Sequence, residues 1–213
     1  MYNSQVGLRE AKKLETRREI ADTAMRLFVQ RGFDHVTVAE VAAAAHVSEK
    51  TVFNYFPTKE DLFFDEVPAR QAALVATIRD RKPGESVVAA LHRLQAGECP
   101  RLCSAGFASF ARIIEESPAL QAKELAVMAQ LTETLAGAIR DEVGVPELDA
   151  KIAANMLVAV HWQLFRNART QALAGREGPS AIRRLRSDLD RAYRLLEHGL
   201  GALEAACSQG VTG

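Results

Sequence analysis

The feature that most constrains this chain is the density of helix starts and stops in its first third. Thr16-Arg17-Arg18-Glu19 and Thr37-Val38-Ala39-Glu40 both place a hydroxyl three residues ahead of a carboxylate. In such a capping box the hydroxyl accepts the N3 amide and the carboxylate reaches back to the N-cap amide, satisfying two donors that a helix start leaves open. Ile20, Ala24, Leu27 and Phe28 then lie along one helical face, and Gly32 after Arg31 supplies a left-handed stop. The second box predicts a short helix from Thr37 to about Ala45. Ser48 precedes a third over 49–55, which Pro57 ends because the residue before a proline avoids helical geometry. Thr58-Lys59-Glu60-Asp61 opens a fourth, which the pattern carries to about Arg81 before Pro83-Gly84.

The remainder reads as helix with looser punctuation. Segments are expected over 85–96, over 102–116 with Phe107, Phe110 and Ile114 on one face, and from Pro118 to about Gly144. Pro146 is expected at N1 of a long helix ending near Gly175, and Pro179 at the start of a last one reaching about Ala206. The tail from Cys207 is expected to fray. That makes nine helices. Alanine fills 36 of 213 positions, and no alternating strand-length segment stands out, so the predicted fold class is all-α.

Several function classes fall away. No run of 18 apolar residues exists to span a membrane, and Met1-Tyr2-Asn3-Ser4-Gln5 leads into charged sequence rather than a signal region, so a cytoplasmic location is expected. Cys99, Cys103 and Cys207 are too few for a disulfide framework. There is no G-x-S-x-G, phosphate loop, H-E-x-x-H or dinucleotide fingerprint, so no enzyme is expected. Basic and acidic residues balance at 27 each, which taken as a total argues against a polyanionic partner. Distribution reverses that argument: residues 1–59 hold 9 basic and 7 acidic groups, and Glu60, Asp61, Asp65 and Glu66 then reverse the sign.

Two short helices at a tight turn behind a longer helix form a helix-turn-helix pattern, with Val41, Ala42 and Val52 locking the pair and His46 in the turn. The run Thr37–Leu62, TVAEVAAAAHVSEKTVFNYFPTKEDL, resembles the N-terminal DNA-binding domain of the TetR (tetracycline-repressor-like) family of bacterial regulators. Thr37, Val41-Ala42, Ala45-His46-Val47-Ser48, Thr51, Tyr55-Phe56, Lys59 and Leu62 carry the resemblance, extended upstream by Ile20, Ala24, Leu27-Phe28 and Gly32-Phe33. It covers about residues 14–64. His46 departs from the glycine common in the turn, and Phe53 from a common tyrosine.

The matched residues suit the chemistry. Thr37 and Ser48 sit at helix N-termini, where hydroxyls and free amides suit a phosphate. Lys59 occupies a first turn that the helix dipole disfavours for a cation, which a bound phosphate would offset. Lys50, Thr51 and Asn54 fall on outward positions of the third helix, able to reach base edges or nearby phosphates. Tyr55 offers a hydroxyl to phosphate, Phe53 an apolar contact such as a thymine methyl, and Phe56 packs inward. The basic stretch Arg9–Arg18 suits either backbone contact or a solvated face.

The resemblance implies a helix-turn-helix domain over 1–60 and a helical ligand-binding and dimerisation domain over 61–213. It implies a homodimeric repressor on a pseudo-palindromic double-stranded DNA operator, paired through its last two helices and released when a small-molecule effector moves the fourth helix. No cofactor or metal is implied. Leu185, Leu189, Ala192, Leu196 and Leu203 offer a stripe for pairing or for packing within one chain. Phe107, Phe110, Met128, Leu131, Asn155, Met156, His161, Trp162 and Phe165 are candidates to line an effector pocket or to form plain core. Two alternatives stand beside this reading: a helical interaction module without DNA binding, and a thiol- or metal-sensing regulator using Cys99 and Cys103.

Overall fold

The computed structural model describes the backbone of residues 3–198 and the side chains of residues 11–198. Those residues form ten helices and no strand, in the order α1 Asn3–Arg31, α2 Val38–Ala44, α3 Glu49–Tyr55, α4 Lys59–Phe63, α5 Val67–Arg79, α6 Val87–Leu102, α7 Ala105–Glu116, α8 Pro118–Val143, α9 Glu147–Leu173 and α10 Gly178–His198. Leu203, the end of the last predicted helix and the predicted frayed tail lie outside the described residues.

Four boundaries differ from expectation. Thr16 is not an N-cap: α1 already runs through it, because no glycine or proline interrupts 8–31 to stop a helix begun upstream. The predicted fourth helix is two, broken at Phe64–Glu66. Pro68 has no amide to continue the α4 ladder, and proline fits the first turn of a new helix, so α5 starts beside it. The predicted helix over 85–96 instead continues as α6 to Leu102 with Pro100 in its last turns. Ser104 then accepts the Phe107 amide at 3.2 Å and caps α7. Pro146 stands at the N-cap of α9, one place before the N1 position expected.

The chain divides into two compact units, and the division falls within α5, α7 and α8. One comprises residues 1–68 together with 112–123; the other comprises 69–111 and 124–213. The first is built on α1. Ile20, Ala24 and Phe28 from its buried face meet Phe33, Val36, Val41, Val52, Phe56, Leu62 and Phe63, all at most 3% exposed. The Phe28 ring lies 4.9 Å from Phe33 and 6.3 Å from Phe63 in tilted contacts. Each buried ring contributes roughly 1.5–3 kcal/mol, which is how a unit with two seven-residue helices holds its shape. Residues 112–123 are tied in by polar contacts: buried Ser117 donates to Asp34 at 2.9 Å, and Lys123 pairs with Asp61 at 2.6 Å.

In the second unit α6, α9 and α10 pack on one another. Leu91 and Cys99 of α6, Ala154, Leu157, Leu164 and Ala168 of α9, and Leu185, Leu189 and Tyr193 of α10 share one core with Phe107, Leu131, Leu135 and Ile139. An ion pair is buried here. Arg169 donates to both oxygens of Glu124, at 3.0 and 3.2 Å, joining α9 to α8.

Candidate nucleic-acid interface

The interface is assembled from α2, the turn after it, and α3. Thr37 caps α2 as a complete box: its hydroxyl accepts the Glu40 amide at 3.2 Å, and Glu40 accepts the Thr37 amide at 2.8 Å. Arg31 reaches the same carboxylate at 2.8 Å and the His35 carbonyl at 3.0 Å, bracing the α1–α2 corner. Three contacts on Glu40 are charge-assisted, so its pKa falls from 4.5 to about 2, the Thr37 amide being the largest cause. α2 ends in a Schellman turn, with Val47 N–H donating to Ala42 O at 2.9 Å and His46 N–H to Ala43 O at 3.2 Å. His46 holds φ at 56°, the one non-glycine residue with positive φ among the described residues. Histidine therefore stands in the left-handed place where glycine is common, as the motif predicts.

α3 follows at once. Ser48 accepts the Thr51 amide at 3.1 Å and lies 2.8 Å from the Thr51 hydroxyl. Val52, 1% exposed, and Phe56 at the C-cap, also 1% exposed, pin one face of α3 to the core. Glu49, Lys50, Phe53 and Asn54 occupy the opposite, exposed face, while Thr51 and Tyr55 sit half-buried between. Arg17 of α1 lies over the Phe56 ring at 4.5 Å and contacts Asp65, bracing the far end of α3. Local spacing gave no sign of Arg17, because its partners are 39 and 48 positions away.

The predicted contact residues are thus placed in three ways. Ser48, Lys50, Phe53 and Asn54 are exposed together on or just ahead of α3, with Thr51 beside them. Thr37 is exposed at the start of α2, its hydroxyl already engaged in the cap. Lys59 is turned inward: its ammonium donates to the Phe33 carbonyl at 2.7 Å and lies 4.1 Å from the centre of the Phe33 ring. Desolvation lowers its pKa.

The effector candidates in the second unit also divide. Phe107, Phe110, Trp162 and Phe165 form an aromatic cluster, with Phe165 edge-on to Phe107 at 5.3 Å and parallel to Trp162 at 6.5 Å. Leu131 is buried and Met128 half-buried in the same core. Half-buried His161 has its pKa lowered to about 4, by desolvation first and then by Arg70 and Arg101. Asn155 and Met156 are on the exposed side of α9, away from the cluster, and Asn155 donates to the Lys151 carbonyl of its own helix at 2.8 Å. A recess of about 280 Å³, lined by Glu133, Arg140, Glu147 and Lys151 among others, was not legible in the sequence. Its charges come from two helices whose facing is a tertiary matter.

The cysteines do not form a reactive pair. Cys99 and Cys103 are buried, and burial pushes both thiols up, although a thiolate is what metal binding and redox chemistry require. Among the described residues no group of three or more His, Cys, Asp and Glu side chains is placed to hold a metal ion. The thiol- or metal-sensing alternative loses its support.

Comparison with known proteins agrees with the geometry. A family profile described as "Bacterial regulatory proteins, tetR family" matches residues 20–65, from the C-terminal part of α1 through α2, α3 and α4. The HTH-type transcriptional regulator TcmR of Streptomyces glaucescens is 30% identical over 162 residues, covering 72% of this chain and 71% of that protein. Among solved structures, native NalD, the secondary repressor of the MexAB-OprM multidrug efflux pump in Pseudomonas aeruginosa, shares the fold at TM-score 0.57 and 21% identity, over 86% of this chain and 96% of its own. Thermus thermophilus FadR, a repressor solved in complex with lauroyl-CoA, matches at TM-score 0.53 and 26% identity, over 86% of this chain and 94% of its own. With its helix-turn-helix matched by the family profile and most of its length matched by a 30% identical regulator, the chain belongs to the TetR family of bacterial transcriptional regulators.

Proposed function

We propose that this regulator is a homodimeric repressor that sets one α3 from each subunit in the major groove of a pseudo-palindromic operator and is released by a small-molecule effector. The observation that carries the reading is the face of α3: Lys50, Phe53 and Asn54 stand exposed on a helix whose other face is locked by Val52 and Phe56. A rigid helix with an unspent polar face can afford sequence readout with little loss of side-chain order on binding. In this reading residues 1–60 form the DNA-binding domain and 61–213 the effector and dimerisation domain. Lys50, Thr51 and Asn54 reach base edges or nearby phosphates, and Phe53 makes an apolar base contact. Thr37, Ser48, Tyr55 and Lys59 serve the backbone. Lys59 uses one N–H on Phe33, leaving two for a phosphate from a fixed position.

Dimerisation through the last two helices is supported from a different place than the predicted stripe. Leu185 and Leu189 are 5% and 2% exposed, spent in the core of their own subunit, with Ala192 and Leu196 half-buried. On α9, by contrast, Leu148, Ile152 and Met156 recur every fourth residue at 68%, 52% and 44% exposure. That is an apolar ridge of the kind two-fold pairing covers. For the effector, the cluster of Phe107, Phe110, Trp162 and Phe165 beside half-buried His161 supplies apolar area with a polar group, and FadR, solved with an acyl-CoA, shows that a similar fold can hold a ligand. Release requires the effector to bind the DNA-incompetent state better, and by linkage DNA weakens effector binding by the same factor.

The test is a nuclease footprint of the purified protein on duplexes enriched from a random-sequence pool and on the DNA flanking its own gene. Protection of two half-sites about one helical turn apart is expected. Absence of any protected site would return weight to the interaction-module reading.

A further inference from the structure

Phe53 is 47% exposed, the only exposed Phe, Tyr or Trp among the described residues. It meets no other ring or cation there, although every other phenylalanine of its unit is buried. Scattered exposed aliphatics are ordinary on a protein surface. This ring differs in its setting. Its helical neighbours on the same face are Glu49, Lys50 and Asn54, all exposed and all polar, so it is not the edge of an apolar patch that a protein partner could cover. A phenyl ring also has no hydroxyl to offer a phosphate, so it makes no hydrogen bond to the DNA backbone. In the major groove one apolar group is displayed on base edges, the C5-methyl of thymine.

We infer that Phe53 is a specificity-determining residue that reads a thymine methyl, once in each half-site of the operator. The assignment rests on the regulator reading above and adds to it the chemical group read. Asn54, next in sequence and also exposed, carries the amide pattern that matches adenine in the same groove, so the two residues together favour A·T pairs under α3. Selectivity of this kind needs no charge. It suits a chain whose basic and acidic residues balance at 27 each.

The experiment uses the full chain and a duplex enriched from a random pool, with each thymine replaced singly by deoxyuridine, which removes only the methyl group. One thymine per half-site is expected to weaken binding about fourfold when replaced, and about fifteenfold when both half-sites are changed, the worth of one and two methyl groups taken from water. Phe53→Ala should bind the thymine and uracil duplexes equally, with an unchanged circular dichroism spectrum, since the side chain is exposed and alanine favours the helix. Phe53→Tyr keeps the ring and should keep the discrimination. If no thymine methyl matters, or if Phe53→Ala retains the full thymine-to-uracil ratio, the assignment fails while the regulator reading stands. A pool that yields no enriched duplex would overturn the regulator reading, and this assignment with it.

Discussion

His46 shows how far one position can be reasoned from the motif alone. The turn between α2 and α3 demands a left-handed residue, and the structure places His46 there at φ 56° with both hydrogen bonds of the Schellman turn made. Glycine adopts that geometry freely, whereas an L-residue is strained by its Cβ, and a β-branched one most of all. His46→Gly should therefore raise the stability of the chain by up to about 1 kcal/mol, and His46→Val should lower it by about 1–2 kcal/mol. Urea midpoints read both; a glycine variant less stable than the parent would mean that the imidazole makes a contact worth more than the strain. Lys59 marks the limit of such reasoning. Its place in the first turn of a helix is visible in the chain, but its ammonium is directed by the carbonyl and ring of Phe33, 26 positions earlier. No local pattern holds that information.

At the scale of elements, one of the two expected boxes forms and the other is overrun, while Thr58 and Asp61 complete a box where only a helix start was expected. Thr37 and Thr58 each follow residues that end a helix or a turn, so their hydroxyls meet free amides. Thr16 sits amid good helix formers, so the amide it would cap is already bonded within α1. The same weighing explains α4 and α5: the apolar pattern runs on past Phe63, and only the missing amide of Pro68 interrupts it. The box on α2 has a measurable signature. Glu40 is held near a pKa of about 2 against a usual 4.5, so its ionised form is favoured by folding. A depressed carboxylate adds stability that is complete above the unfolded-state value of 4.5 and fades as the pH falls towards 2. The urea midpoint of the parent should drop more steeply across that window than that of Glu40→Gln, whose side chain does not titrate. Parallel curves would show that the box contributes nothing through its charge.

For the whole molecule, the question is which apolar residues one subunit spends and which it leaves over. Periodicity makes Leu185 and Leu189 of α10 look as available for pairing as Leu148, Ile152 and Met156 of α9. The structure buries the first set against α6 and α9 and leaves the second exposed. If the α9 ridge forms the dimer contact, two-fold symmetry meets each substitution twice. Ile152→Asp should then weaken dimerisation at least about tenfold by sedimentation equilibrium while leaving the subunit folded, and lower affinity for a two-half-site operator in step. An undisturbed dimer would move the interface elsewhere. The all-helical class, the helix-turn-helix and its left-handed histidine were legible in the chain because they depend on capping, helical periodicity and turn chemistry, which act over a few residues. The inward turn of Lys59, the bracing of α3 by Arg17, the exposure of Asn155 and Met156, and the sorting of apolar stripes into core and free surface were decided only by the tertiary structure. Each depends on which helices face one another across tens of residues, and burial is a property of that packing rather than of any single segment.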